Sequence, residues 1–328
     1  MLDANQFRAL LDNEGALVID GGLATELDAR GHDLNHPLWS AKLLRDKAAV
    51  IEQVHLDYYF AGADITISAS YQASIEGFCE HFGLSEAESV ALIKRSVQLA
   101  RNAGNAALRQ GREAALVAGS VGPYGAFLSD GSEYRGDYRR TKEELQQFHR
   151  PRIQALADAN VDFLALETIP QLAEIEALLE MLRNEFPGVI AWLSCTLVDS
   201  GHISDGTCIE QVLRVVNQYR DVVVAFGINC VPTNLVTEAL QLMKRRTKLP
   251  LLCYPNSGEV WDAETKTWSS DNGRKQDWSE MVGQWRENGA RLIGGCCRTG
   301  PAHVKKIALA LSKDDNGMGT SGQRSSVC

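Results

Sequence analysis

Three cysteines stand at the ends of two apolar runs, and their residue type and spacing indicate a metal site. Cys230 ends the run VVVAFGINC at 222–230, and the adjacent pair Cys296 and Cys297 follows RLIGG at 291–295. Catalytic zinc keeps three protein ligands and one open position, and it binds cysteine sulfur at about 2.3 Å. A thiol substrate in the open position would lose its proton on coordination. The pattern therefore predicts an enzyme that activates a thiol.

The cysteine spacing leaves other interpretations open because no CxxC motif accompanies it. Buried cysteines often only fill a core, and Cys296 with Cys297 could form a strained vicinal disulfide. Adjacent residues of a strand point to opposite faces, so the backbone must turn if both are to bind one ion. Gly294 and Gly295 precede the pair and would give that freedom.

Eight short apolar or β-branched runs recur along the chain, with longer stretches of helical pattern between them. They are 16–20, 64–68, 115–120, 162–167, 190–195, 222–228, 249–254 and 291–295. Eight such units in a chain of this length predict an α/β fold, a (β/α)8 TIM-type barrel in a single domain. A doubly wound open sheet is the alternative, but it usually has fewer strands. Neither GxGxxG nor GxxxxGK[ST] occurs, which disfavours nucleotide binding.

Polar residues gather where these runs end. Asp20 ends the first run, Tyr71 follows the second, Ser120 ends the third, Glu167 the fourth and Cys195 the fifth. In a (β/α)8 barrel the carboxyl ends of the strands form one funnel that carries the chemistry. Ordinary loop polarity is the alternative for any one of them, but the coincidence of all eight ends favours a functional funnel.

Composition excludes several classes of function. The 328 residues are 45% hydrophobic and 23% charged, with a net charge of -9 and a pI near 5.4. This acidity disfavours nucleic acid or an anionic membrane as a partner. The N-terminus lacks a signal-peptide pattern, and the eight cysteines do not resemble a secreted disulfide scaffold. We therefore expect a cytoplasmic protein with reduced thiols. We also expect a monomer or a small homo-oligomer. Residues 1–311 should form the barrel domain, and the polar stretch 312–328 should be a disordered tail.

Several motifs together resemble a known family. They are GINC at 227–230, GGCCRT at 294–299, DGGLATEL at 20–27, ASYQAS at 69–74 and SVGPYG at 120–125. From about residue 15 to about residue 310 the chain resembles the zinc-dependent homocysteine S-methyltransferases. The nearest likeness is to the branch that uses S-methylmethionine, through stretches such as HLDYYFAGA, DGSEYRGDY and YPNSGE.

The resemblance implies a (β/α)8 barrel that binds Zn²⁺ through Cys230, Cys296 and Cys297. It implies that Asp20 and Glu167 meet the amino group of homocysteine. It further implies that the backbone amides of Gly21, Gly22 and Leu23 meet its carboxylate. The small-molecule substrates would be homocysteine and S-methylmethionine, with S-adenosylmethionine as a slower methyl donor.

A sulfonium donor favours aromatic surfaces, which makes Tyr71 a candidate binding residue and Tyr124 and Trp39 weaker ones. The segment 129–140 is long for a loop after a barrel strand and predicts either a lid over the donor or a solvated loop.

Three other functions remain to be weighed. A selenocysteine or selenohomocysteine methyltransferase would use the same site. A non-catalytic barrel with a closed zinc site would need a fourth ligand, for which Cys195 is the candidate. A Schiff-base lyase is disfavoured because no lysine stands at a predicted strand end.

Overall fold

Eight parallel strands form a closed ring in this computed structural model, which describes residues 1–258, 260–262, 267–269 and 277–317. The strands are β1 (Leu17–Val18), β2 (Ile65–Ile67), β3 (Leu116–Val121), β4 (Phe163–Ile169), β5 (Ala191–Cys195), β6 (Val223–Asn229), β7 (Leu251–Tyr254) and β8 (Ala290–Ile293). Each strand pairs with the next along the chain, and β8 pairs with β1. A parallel bridge between Ile19 and Ile65 closes the ring. The predicted (β/α)8 barrel is confirmed, with all eight strands at the predicted runs.

Helices surround the ring, and every strand is followed by at least one of them. The helices are α1 (Ala4–Glu14), α2 (Leu23–Ala29), α3 (Leu43–Asp46), α4 (Ala48–Ala61), α5 (Ile75–Phe82), α6 (Glu86–Arg109), α7 (Tyr124–Leu128), α8 (Lys142–Asp158), α9 (Leu172–Glu185), α10 (Ile209–Val216), α11 (Thr233–Lys244), α12 (Trp278–Glu287) and α13 (Pro301–Gly317). Two antiparallel hairpins, which the sequence pattern did not predict, extend the loops after β5 and β7. They pair Leu197–Asp199 with His202–Ile203 and Val260–Asp262 with Thr267–Ser269.

The strands are buried on both faces, which explains their continuous apolar runs. In β4, Phe163 and Ala165 pack with the inward Trp192 of β5. The intervening Leu164 and Leu166 belong to the larger core beneath the helices. Successive side chains of a strand point to opposite faces, so one strand supplies both layers.

Helix α1 packs against the amino-terminal end of the barrel. An Asp3 capping box begins the helix. Its buried side chains Phe7 and Leu11 join the inner cluster, with the Phe7 ring centroid 5.3 Å from that of Phe163. The Arg291 side chain donates to the backbone oxygen of Leu11. The barrel is thereby closed at the end opposite the strands' carboxyl termini.

The last helix continues to Gly317, past residue 312 where the sequence predicted a disordered tail to begin. The remainder of that predicted tail, 318–328, lies outside the described residues. Within the part of the chain that the structure describes, no helix is both long and apolar enough to traverse a bilayer.

Candidate active site

The three predicted cysteines meet at the carboxyl-terminal end of the barrel. The Sγ atoms of Cys230, Cys296 and Cys297 lie within 4.8 Å of one another. Cys230 directly follows β6, and the pair follows β8, so β7 separates them. The end of β7 fixes both loops, because the Cys230 amide donates to the Tyr254 oxygen at 3.2 Å and the Cys296 amide to the Pro255 oxygen at 2.8 Å.

Glycines allow the backbone segments around this cluster to approach closely. A Cβ on Gly294 would lie 2.6 Å from the Cβ of Ile19, and one on Gly22 would lie 2.5 Å from the carbonyl oxygen of Cys296. Neither Gly294 nor Gly295 has a positive φ, so the conformational freedom predicted for them is not used. The left-handed residue is Cys230 itself, at φ 52°. The glycines are required here because no Cβ would fit.

Cys230 and Cys296 are joined as a disulfide, with their Cα atoms 5.5 Å apart. The vicinal disulfide considered for Cys296 and Cys297 is therefore not the one that forms. The sulfurs of Cys230 and Cys297 lie 3.7 Å apart. Two sulfurs bound tetrahedrally to one zinc at about 2.3 Å would be separated by about 3.8 Å. The donor set fits zinc once the disulfide is reduced, because metal ligands must be thiolates.

Two buried carboxylates lie near the carboxyl-terminal ends of β1 and β4. Asp20 accepts from the Ile67 amide at 2.9 Å. Glu167 accepts hydrogen bonds from the Ser120 hydroxyl and, at 3.2 Å, from the Tyr254 hydroxyl. Each acid is at most 6% exposed. The structure thus holds both predicted substrate-binding acids in fixed orientations.

Burial raises the pKa of both acids. It raises the pKa of Asp20 well above its usual value, and repulsion from Glu167 adds to that rise. It raises the pKa of Glu167 from 4.5 to about 7, although its hydrogen bonds oppose the shift. Two desolvated carboxylates that repel each other form a favourable site for a cationic group.

A strand irregularity orients Glu167. The register of β4 against β5 shifts between Leu166 and Ile169, and Thr168 takes a φ of 63°. The Asn229 side chain clamps Thr168, accepting from its amide at 2.7 Å and donating to its hydroxyl at 2.8 Å. Because Asn229 immediately precedes Cys230, one buried side chain links the acid and the cysteine cluster. In the sequence, Thr168 and Asn229 are polar residues at the ends of predicted strands, but their pattern assigned neither a specific role.

The predicted backbone amides are only partly free. The Gly22 amide donates to the Thr299 carbonyl oxygen at 2.9 Å and so has a partner within the chain. The amides of Gly21 and Leu23 have no hydrogen-bond acceptor among the described residues. The three-amide cradle is therefore reduced to two available donors.

The aromatic candidates separate into two groups. Tyr71 packs on Gly122, and a hydrogen bond with the Thr168 side chain acts on its pKa, while the Trp39 ring lies 6.3 Å away. Tyr124 instead packs against Phe148, at 5.0 Å between ring centroids, within an aromatic cluster beside α8. Tyr71 thus lies beside the site, and Tyr124 has a packing role.

The segment 129–140 lies against the mouth of the barrel. Thr196, just after β5, donates from its hydroxyl to the Glu133 carbonyl oxygen at 2.9 Å. The Glu133 carboxylate raises the pKa of the Cys297 thiol, which burial brings to about 12. Burial also raises the pKa of the Tyr134 hydroxyl well above its usual value, and Cys297 adds to that rise. Sequence reasoning identified the segment but not Glu133 or Tyr134, because a loop pattern does not show which side chains turn inward.

Cys195 is fully buried but does not join the cysteine cluster. Among the described residues, the three cysteines are the one group of potential metal ligands. The closed four-cysteine site considered from the sequence therefore lacks its fourth ligand.

Fold and site together define a (β/α)8-barrel protein with a three-cysteine cluster at its catalytic end. The homocysteine S-methyltransferase family matches residues 17–311. Homocysteine S-methyltransferase of Escherichia coli is 52% identical over 309 residues, covering 94% of this chain and 99% of the relative. Homocysteine S-methyltransferase YbgG of Bacillus subtilis is 45% identical over 311 residues, covering 93% and 97%.

A crystal structure of a similar protein shows that the likeness extends to the fold. The metallated form of the homocysteine methyltransferase MmuM from Escherichia coli superposes with a TM-score of 0.84 at 49% identity, covering 92% of this chain and 99% of that one. The chain belongs to the homocysteine S-methyltransferase family, as the motifs predicted.

Proposed function

We propose that this protein transfers a methyl group from S-methylmethionine to the sulfur of homocysteine, with Zn²⁺ held by Cys230, Cys296 and Cys297. Membership of a methyltransferase family supports the reaction. The observation that carries the proposal is the cluster of three sulfurs within 4.8 Å at the carboxyl end of the barrel. The existence of a metallated form of a relative 49% identical supports metal binding.

The bound metal would supply the positive charge that lowers the pKa of the homocysteine thiol, which is otherwise near 8.5. Asp20 and Glu167 would bind the substrate ammonium, and that cation would relieve the repulsion between the two buried carboxylates. The free amides of Gly21 and Leu23 would receive the substrate carboxylate. These contacts fix the substrate's backbone and so direct its sulfur towards the cysteines.

The reaction is an in-line displacement. The homocysteine sulfur, after loss of its proton, forms a bond to the donor's methyl carbon. The bond from that carbon to the sulfonium sulfur breaks, and its electron pair stays with the departing sulfur. With S-methylmethionine as donor, both products are methionine. The protein contributes chiefly alignment, which can provide about 7 kcal/mol or more of the barrier reduction.

The test is methionine formation by the reduced, zinc-loaded protein with homocysteine and either S-methylmethionine or S-adenosylmethionine. We expect turnover with both and a higher kcat/KM with S-methylmethionine. A preference for S-adenosylmethionine would overturn the donor assignment, and faster methylation of selenocysteine than of homocysteine would overturn the acceptor.

The ligand set has its own test. Cys296→Ala should lose bound zinc and activity together, whereas Cys79→Ala should keep both, because Cys79 is an exposed free cysteine outside the cluster. Full zinc content and full activity in Cys296→Ala would contradict the proposed site.

A further inference from the structure

Glu133 carries a buried carboxylate oxygen for which the described residues provide no partner. Its Oε2 is shielded from solvent and makes no hydrogen bond. Burial raises the pKa of this carboxyl from 4.5 to about 7, and the opposing effect of Arg135 is the smallest of the influences on it. Arg135 already pairs with Asp137, at 2.8 Å. A shielded carboxylate oxygen without a counter-charge is unfavourable, and a cation bound beside Glu133 would stabilise its ionised form.

The backbone holds Glu133 in this position. Its carbonyl oxygen accepts from Thr196 at 2.9 Å. Its amide nitrogen approaches Gly125 so closely that a Cβ there would lie 2.7 Å away. These contacts therefore fix the backbone from which the Glu133 side chain extends.

Glu133 shares its surroundings with two tyrosines and a cluster cysteine. Its charge acts on the pKa of Tyr71, of Tyr134 and of Cys297. Both tyrosine hydroxyls have pKa values raised well above 10 by burial, so both rings remain neutral. Glu133 therefore lies close enough to Tyr71, Tyr134 and Cys297 for its charge to act on all three.

This arrangement matches the chemistry of a sulfonium ion. A sulfonium has a positive charge but no N–H group, so it is recognised by charge and aromatic faces instead of by hydrogen bonds. In the proposed reaction Asp20 and Glu167 already serve the ammonium of homocysteine. The remaining cation that must come next to the cluster is the sulfonium whose methyl group is transferred.

We propose that Glu133, together with Tyr71 and Tyr134, binds the methyl donor's sulfonium group and is its anionic partner. This inference rests on the proposed function and adds to it a donor-binding residue and the basis for preferring a cationic donor. Because the positive charge disperses during methyl transfer, the carboxylate stabilises the bound donor more than the transition state. Removal of the Glu133 carboxylate should therefore mainly weaken donor binding.

The experiment compares Glu133→Gln with the wild type in methionine formation. We expect the KM for S-methylmethionine to rise at least about tenfold, as for the loss of a charged partner. The KM for homocysteine and the zinc content should stay unchanged. Asp137→Asn is the matched control, since it removes one exposed carboxylate from the same loop, and it should leave the donor KM unchanged.

Trimethylsulfonium has neither an amino nor a carboxyl group. It therefore tests whether Glu133 binds the sulfonium group of the donor or its ammonium group. It should inhibit the wild type competitively with S-methylmethionine and inhibit Glu133→Gln at least about tenfold more weakly. Equal inhibition of both proteins would overturn the inference, even if the S-methylmethionine KM rises, because Glu133 would then meet the donor's ammonium. An active wild type with an unchanged donor KM in Glu133→Gln would refute the inference alone. Absence of turnover in the wild type would refute the proposed function itself.

Discussion

Acids and thiols define this site, and burial changes their acid–base properties. Asp20 and Glu167 are both desolvated, and each is held by donors from its own neighbourhood. Burial dominates over those hydrogen bonds, so the pKa of each acid rises. An ammonium ion bound between them would reverse this shift, which makes substrate binding and ionisation of the acids mutually dependent.

The pH dependence of stability tests the state of Glu167. Its pKa in the folded protein, about 7, exceeds the usual 4.5, so the folded state binds more protons between these values. The free energy of unfolding should therefore fall as pH rises from 4.5 to 7, by up to about 3 kcal/mol from this group. Glu167→Gln should show a smaller fall, measured by urea denaturation of the reduced, metal-free protein at pH 5 and pH 7.5. An identical pH dependence in the two proteins would contradict the assignment.

At the scale of elements, the site depends on how neighbouring strands end. The irregular end of β4 turns Glu167 inward, and Asn229 at the end of β6 holds that irregularity in place. The end of β7 meanwhile fixes the loops of both cysteine-bearing segments. Glu167 and the cysteines are thus aligned through the ends of β4, β6 and β7.

Asn229→Ala would remove the clamp between these elements. The buried Thr168 amide would lose its acceptor, which costs about 1–3 kcal/mol of unfolding free energy. Glu167 would also lose its orientation, so the KM for homocysteine should rise. Asn229→Asp keeps an acceptor for the amide but loses the donor to the Thr168 hydroxyl, and its effect should be intermediate. Wild-type stability and kinetics in Asn229→Ala would show that the clamp has no such role.

The sequence allowed the elements to be predicted better than their contacts. Continuous apolar runs identified all eight strands because both faces of each are buried. The contacts of Asn229 and Glu133 could not be predicted. Their hydrogen-bond partners, Thr168 and Thr196, are distant in sequence. The sequence also did not indicate that the Gly22 amide has an acceptor within the chain, since that acceptor is Thr299, which is distant in sequence. Hydrogen bonds between loops leave no periodic pattern.

At the scale of the whole molecule, the barrel separates stability from chemistry. Helix α1, with its Phe7 and Leu11 in the inner apolar cluster, lies at the amino-terminal end, and the acids and cysteines lie at the other. Such a division is typical of (β/α)8 barrels.

Phe7→Ala tests this division. The ring is fully buried against Phe163, so its truncation should cost about 3–5 kcal/mol of unfolding free energy. Zinc content and the KM for homocysteine should be unchanged at temperatures where the variant is folded. A selective loss of homocysteine binding would show that the two ends are coupled.

The central claim is that three cysteines and a metal make homocysteine reactive, and metal removal tests it most directly. Methionine formation from homocysteine and S-methylmethionine should be measured in reduced protein, after chelation, and again after Zn²⁺ is restored. We predict that turnover disappears with the metal and returns with it. Undiminished turnover in protein shown to be free of metal would contradict the account.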